Sequence, residues 1–132
     1  MVFNGTRIQL QLSSAGSASD LTMVANSFGN LSTSTWYFVE WWHDSVNNVA
    51  GLSVNGTSNT TSYSSGVFDS TADFAIGTNF VTSGADFWTG SIDEVFFFKG
   101  MPTSGERAAF YNSGSGFAYP WTTPSAGNTT YI

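Results

Sequence analysis

Residues 90–116 read GSIDEVFFFKGMPTSGERAAFYNSGSG, and their order of strand, stop, capped helix and glycine exit decides the fold. In an extended chain Ile92, Glu94, Phe96 and Phe98 fall on one side, and Asp93, Val95 and Phe97 on the other. Apolar residues on both sides are expected of a strand buried between two layers. Met101-Pro102 stops that strand. Thr103 stands three residues ahead of Glu106, the spacing of a capping box in which each side chain bonds the other residue's backbone amide. Ala108 to Tyr111 give the short helix an apolar body, and Asn112-Ser113-Gly114 gives it residues that tolerate a left-handed end.

Upstream, short alternating apolar runs are broken by Gly, Asn, Ser or Asp roughly every 8–12 residues, the pattern of an all-β sandwich. Strands are expected near Thr6–Leu12, Leu21–Ala25, Trp36–His43, Ala50–Val54, Thr57–Ser62, Asp73–Ile76 and Ser91–Phe98. The sharpest local signal is Asn55-Gly56, because a type I′ turn needs positive φ at both central residues. It predicts a hairpin between Leu52–Val54 and Thr57–Ser58. Asp44–Asn48 and Ser13–Asp20 read as the connections before it. The tail from Pro120 to Ile132, with two prolines, one glycine and many hydroxyls, is expected to be irregular and to pack across an edge or against a neighbour. The expected division is a sandwich over 1–119 and this tail over 120–132.

These segments resemble a laminin G-like (LamG), concanavalin A-like domain, best over its C-terminal two-thirds. WYFVEWWHDSVNNVAGLSVNG, from Trp36 to Gly56, matches the family's Trp-led strand, turn and Asn-Gly hairpin, with Tyr37 and Phe38 standing where the family usually has histidines. ADFAIGTN, from Ala72 to Asn79, is similar to the family's strand ending in Ile-Gly. Phe87-Trp88-Thr89-Gly90 is similar to its lead into Ile-Asp-Glu-Val. The resemblance implies an antiparallel, jelly-roll-like β-sandwich with one short helix near the C-terminus. The family's opening strands have no counterpart here. That leaves a fragment, a shortened sandwich, or strands supplied by another chain, and the last two predict self-association or docking on a larger assembly.

Composition excludes several functions. Of 132 residues only 9% are charged against 17% aromatic, and the net charge is -6. Arg7, Lys99 and Arg107 are the only cations, too few and too scattered to hold a phosphate backbone. With no cysteine there is no disulfide, thiolate metal site or cysteine nucleophile. No apolar run is long enough to span a membrane, and the first residues lack a secretory leader pattern. Five Asn-x-Ser/Thr triplets, at Asn4, Asn30, Asn55, Asn59 and Asn128, read as chance in so hydroxyl-rich a chain.

Paired carboxylates are the first candidates for chemistry, since glucanases share the fold the resemblance implies. Asp93 and Glu94 are adjacent, and on a strand adjacent side chains point apart, whereas a retaining glycosidase needs two carboxyls about 5 Å apart on one substrate. Laminarinase-type glucanases carry Glu-x-Asp-x-x-Glu, and this chain has Ser91 two residues before Asp93. No catalytic residue is therefore assigned, and the two acids are expected to bond turn amides or Arg107. His43 is the single histidine, which excludes a multi-histidine metal site and reads as a turn or surface residue.

Aromatic residues are the better candidates for binding. Of Trp41-Trp42, one must face away from the core unless both sheet faces are covered, and an exposed indole can stack on a sugar ring. Trp88 and Asn79 join them as candidate ligand-binding residues at the sandwich rim. No cofactor is required; calcium is the one the resemblance raises, with Asp69, Asp73 and Asp86 as its candidate ligands. The resulting expectation is a non-enzymatic module displayed outside a cell or on a virion surface, binding glycan or another surface ligand. The alternative is a structural phage protein, decorating a capsid or tail, whose main partner is another virion subunit. Nucleic acid is not expected as a partner.

Overall fold

The computed structural model describes residues 6–71, 74–78 and 87–116, together with the backbone of residues 2–4. Six strands form two antiparallel three-stranded sheets. The first sheet holds β1 (Val2–Asn4), β2 (Arg7–Leu12) and β3 (Leu21–Val24) with β2 in the middle, and the second holds β4 (Val39–Asp44), β5 (Val49–Val54) and β6 (Thr57–Ser62) with β5 in the middle. Helix α1 (Ser104–Tyr111) follows. The architecture is the all-β antiparallel sandwich with one short C-terminal helix that the sequence pattern predicts.

Period 2 on the two central strands builds the core. Ile8, Leu10 and Leu12 of β2 and Met23 of β3 join Ala50, Leu52 and Val54 of β5 and Tyr63 in one buried cluster. The first sheet keeps its register because Leu10 pairs with Met23 and Leu12 with Leu21, so both strands turn their apolar residues the same way. Tyr37 packs against this core and meets Phe28 edge-on at 5.7 Å. Its hydroxyl accepts the amide of Ser32.

Turn chemistry fixes the second sheet. Asp44 Oδ1 accepts the amides of Val46 and Asn47, and Asn48 takes φ of 54°, which sets Asp44 opposite Val49. Asn55 and Gly56 have φ of 49° and 79°, as a type I′ turn demands. The Asn55 side chain also accepts the Phe38 amide at 2.9 Å, while the Asn55 amide donates to the Phe38 carbonyl at 2.8 Å. Phe38 is thus tied to a turn residue outside the β4–β5 ladder, and β4 begins at Val39 instead of the expected Trp36; Trp36 itself is 65% exposed.

The expected strand over Ser91–Phe98 does not form: among the described residues this segment makes no ladder, and Ile92, Val95 and Phe97 are exposed. Glu94 has φ of 51°, which breaks an extended run in its middle. Alternation survives only beyond the break. Phe98 stacks on Phe110 of α1 at 4.9 Å and Phe96 meets the same ring at a tilt at 5.3 Å, while Phe97 turns the other way onto the edge of Phe74 at 4.7 Å. The expected strand over Asp73–Ile76 also fails over its described part, because Phe74 and Ala75 make no ladder and Ile76 bends into Gly77 at φ of 77°. Asp73 lies outside the described residues.

Helix α1 follows its sequence signals. The Thr103 hydroxyl accepts the Glu106 amide at 3.2 Å and the Glu106 carboxylate accepts the Thr103 amide at 2.7 Å, which completes the capping box. At the other end Asn112, Ser113 and Gly114 all take positive φ. Phe110 is the helix's buried anchor.

Candidate functional site

A cleft of about 1860 Å³ is lined by the residues of β4, by residues 91–98, by Phe74–Thr78 with Phe87 and Trp88, and by Phe110 and Tyr111 of α1. Its aromatic content follows from the failed strand: side chains that a sheet would have covered are left facing a shared space. Trp41 and Trp88 both line it, 44% and 38% exposed. Trp41 is directly opposite Leu52 and shares the core side of β4, but β4 is an edge strand and leaves the indole half open. Trp88 is held by its backbone, which donates to the Gly77 carbonyl at 2.8 Å, and its ring lies against Gly90, where an added Cβ would be 3.0 Å from Nε1.

Trp42 lines the same cleft from the opposite face of β4, and there the structure holds a cluster that sequence reasoning missed. The indole covers Gly51, its cross-strand partner, so closely that an added Cβ would lie 2.0 Å from the ring. The Arg107 guanidinium sits over the same indole at 4.3 Å from its centroid, a cation–π contact. Arg107 Nε is also 4.0 Å from Glu40 Oε1. Burial pushes the Glu40 carboxyl above its usual range, and the charge of Arg107 pulls it part of the way back. Arg107 is therefore engaged by Glu40 and Trp42, not by Asp93 or Glu94 as the sequence suggested. The Asp44–Asn48 turn signalled only that Trp42 lies opposite Gly51, not that Arg107 would join them.

The two adjacent acids have other surroundings. Asp93 Oδ1 accepts the Glu94 amide at 2.9 Å, the turn-amide role expected of it. Glu94 Oε2 lies beside Gly116, 2.6 Å from where a Cβ would stand. His43 meets Tyr63 edge-on at 5.4 Å and turns Nε2 toward the Tyr63 carbonyl at 3.4 Å. The Tyr63 hydroxyl donates to Asp20 at 2.8 Å, so this histidine belongs to a packing arrangement that pins the Ser13–Asp20 loop to the core. Three of the Asn-x-Ser/Thr asparagines are likewise engaged: Asn30 accepts from Arg7, Asn55 accepts the Phe38 amide, and Asn59 donates to Ser27.

The calcium candidates are only partly described. Asp69 is exposed, while Asp73 and Asp86 lie outside the described residues, as does Asn79 of the ligand-binding set. Among the described residues no three of His, Asp and Glu gather into a metal-binding group. Asp69 alone falls far short of the six to eight oxygens calcium takes. Among the same residues no helix is long and apolar enough to cross a membrane.

The model of a laminin G-like family, described as the concanavalin A-like lectin/glucanases superfamily, matches residues 1–106. The match takes in all six strands, so it reaches further toward the N-terminus than the two-thirds legible by eye. No curated protein and no solved structure matches the chain. The superfamily's name spans carbohydrate binding and carbohydrate cleavage alike. With two antiparallel sheets over one core, and a family match over most of its length, this chain belongs to the concanavalin A-like lectin/glucanase superfamily.

Proposed function

We propose that the domain is a non-catalytic recognition module, displayed outside a cell or particle, that binds glycan or another surface ligand in the cleft along β4. The observation that carries this reading is the placement of Trp41 and Trp88, two partly exposed indoles, on one cleft. A pyranose ring presents an apolar face of C–H bonds, and an aromatic ring of the protein is the usual surface to receive it. Catalysis is disfavoured by the surroundings of Asp93 and Glu94, which sit at a backbone break, and by Glu40, which lies beneath Arg107. Trp41→Ala and Trp88→Ala should each weaken glycan binding about tenfold, the order of one lost stacking contact, and leave the β-rich circular dichroism spectrum intact. Parent-like binding by both variants would remove the cleft from consideration. Turnover of laminarin, cellulose or agar that is lost in Asp93→Asn would overturn the non-catalytic reading.

A second reading is supported by the exposed apolar side chains of Phe74, Phe87, Val95 and Phe97. Such a surface fits docking on a larger assembly or on a second copy, as in a structural subunit of a virion. Light scattering over a range of concentrations separates the two: a stable monomer favours the lectin-like role, and concentration-dependent association favours the structural one.

A further inference from the structure

We infer that the cleft takes neutral glycans and rejects sulfated, sialylated and uronic acid chains. This rests on the reading of the cleft as a glycan site, and it follows from where the chain's three arginine and lysine side chains stand. An anionic sugar substituent needs a guanidinium, an ammonium or a cluster of backbone N–H groups to replace its water. The chain has three basic residues. Arg7 directs Nε to Asn30 at 2.9 Å and Nη1 to Asn26 at 2.8 Å. Arg107 lies over Trp42 and 4.0 Å from Glu40, with Nη1 buried and, among the described residues, without a hydrogen-bond partner. Lys99 is not among the residues lining the cleft. At the amino end of α1 the Thr103 amide is already taken by the helix's own Glu106 carboxylate.

The cleft wall carries charge of the opposite sign. Glu40, Asp44, Asp93 and Glu94 all line it, against Arg107 and the imidazole of His43. Asp44 stays ionised, since Asn47 donates to it from both side chain and backbone and holds its carboxyl below the usual value. At physiological salt the field of such groups extends about 8 Å, far enough to reach a sugar bound anywhere along β4. The means of attraction left on this wall are ring stacking on Trp41 and Trp88 and hydrogen bonding to hydroxyls and amides. Both suit an uncharged sugar.

The test is a printed array that pairs neutral glycans with their O-sulfated and sialylated counterparts, probed with the intact chain at low and at high salt. Binding should be confined to neutral members, with charged counterparts weaker by roughly tenfold or more near 0.02 M salt and the gap narrowing toward about 0.5 M as the field is screened. Asp93→Asn combined with Glu94→Gln should narrow the same gap at low salt. Charged counterparts that bind as well as the neutral ones would overturn the inference and leave glycan recognition standing. An array on which no glycan is retained would overturn glycan recognition itself, and the inference with it.

Discussion

The Trp42 indole rests flat against the backbone of Gly51, directly across the β4–β5 ladder, with no room for a methyl group between them. Gly51 is buried in the middle strand of its sheet, and the ring above it also supports Arg107. Gly51→Ala should therefore force the indole outward, disturb both contacts, and cost about 1–3 kcal/mol. Chemical denaturation measures this directly. In the double variant Gly51→Ala/Trp42→Leu the penalty of the first change should shrink, because the clashing ring is gone. A parent-like midpoint for Gly51→Ala alone would show that the ring does not lie there.

Gly56→Val places a β-branched side chain where φ is 79°. The expected cost is roughly 1–3 kcal/mol, from local strain and from loosening the tie between Asn55 and Phe38. A thermal melt unchanged by this substitution would remove the type I′ turn from the account.

Thr103→Ala deletes the hydroxyl that accepts the Glu106 amide. Loss of such a cap costs about 1 kcal/mol, and Thr103→Ser should recover most of it. If Ser and Ala behave alike under denaturant, the capping box contributes nothing to stability.

Acid should destabilise the fold. Asp20 accepts from the Ser14 and Tyr63 hydroxyls, Asp44 from Asn47, and Glu106 from the Thr103 amide and hydroxyl; all three are held below their ordinary values of 3.8, 3.8 and 4.5. Just below those values the unfolded chain binds protons that the folded chain refuses. Stability is then full above them and falls as pH drops through the lowered folded values. Glu40 works in the other direction, because burial raises its carboxyl and the folded chain accepts that proton more readily. Three groups against one predict a Tm that is level from about pH 8 to 6 and declines below about pH 4, with a shallower decline in Asp20→Asn. A Tm that rises on acidification would mean that Glu40 outweighs the other three.

Much of the fold was legible because its signals are local. Asn55-Gly56, the Asp44–Asn48 turn, the Thr103–Glu106 box and the period-2 runs of β2 and β5 each act over a few residues, and each formed as read. Residues 91–98 went wrong for the opposite reason. Apolar residues on both sides announce burial, but a strand also needs a neighbour to complete its ladder, and no periodicity supplies one. The chain instead turns at Glu94 and packs Phe96 and Phe98 on α1. Trp41 and Trp88 were identifiable as candidates from residue type alone; their sharing of one cleft depends on that misread segment and was not visible in the sequence. The cluster of Glu40, Trp42 and Arg107 spans 67 positions and was hidden by distance along the chain.

Arg107 stands one residue past the end of the family match. A recombinant protein trimmed at that boundary would keep Glu40, Trp42 and Gly51 but lose the guanidinium that lies over them, together with the Phe110 ring that anchors Phe96 and Phe98. Its freshly bared tryptophan and largely buried, uncompensated carboxylate would invite precipitation during purification. An expression boundary that keeps these contacts therefore lies beyond Gly116, where the chain passes the Glu94 carboxylate.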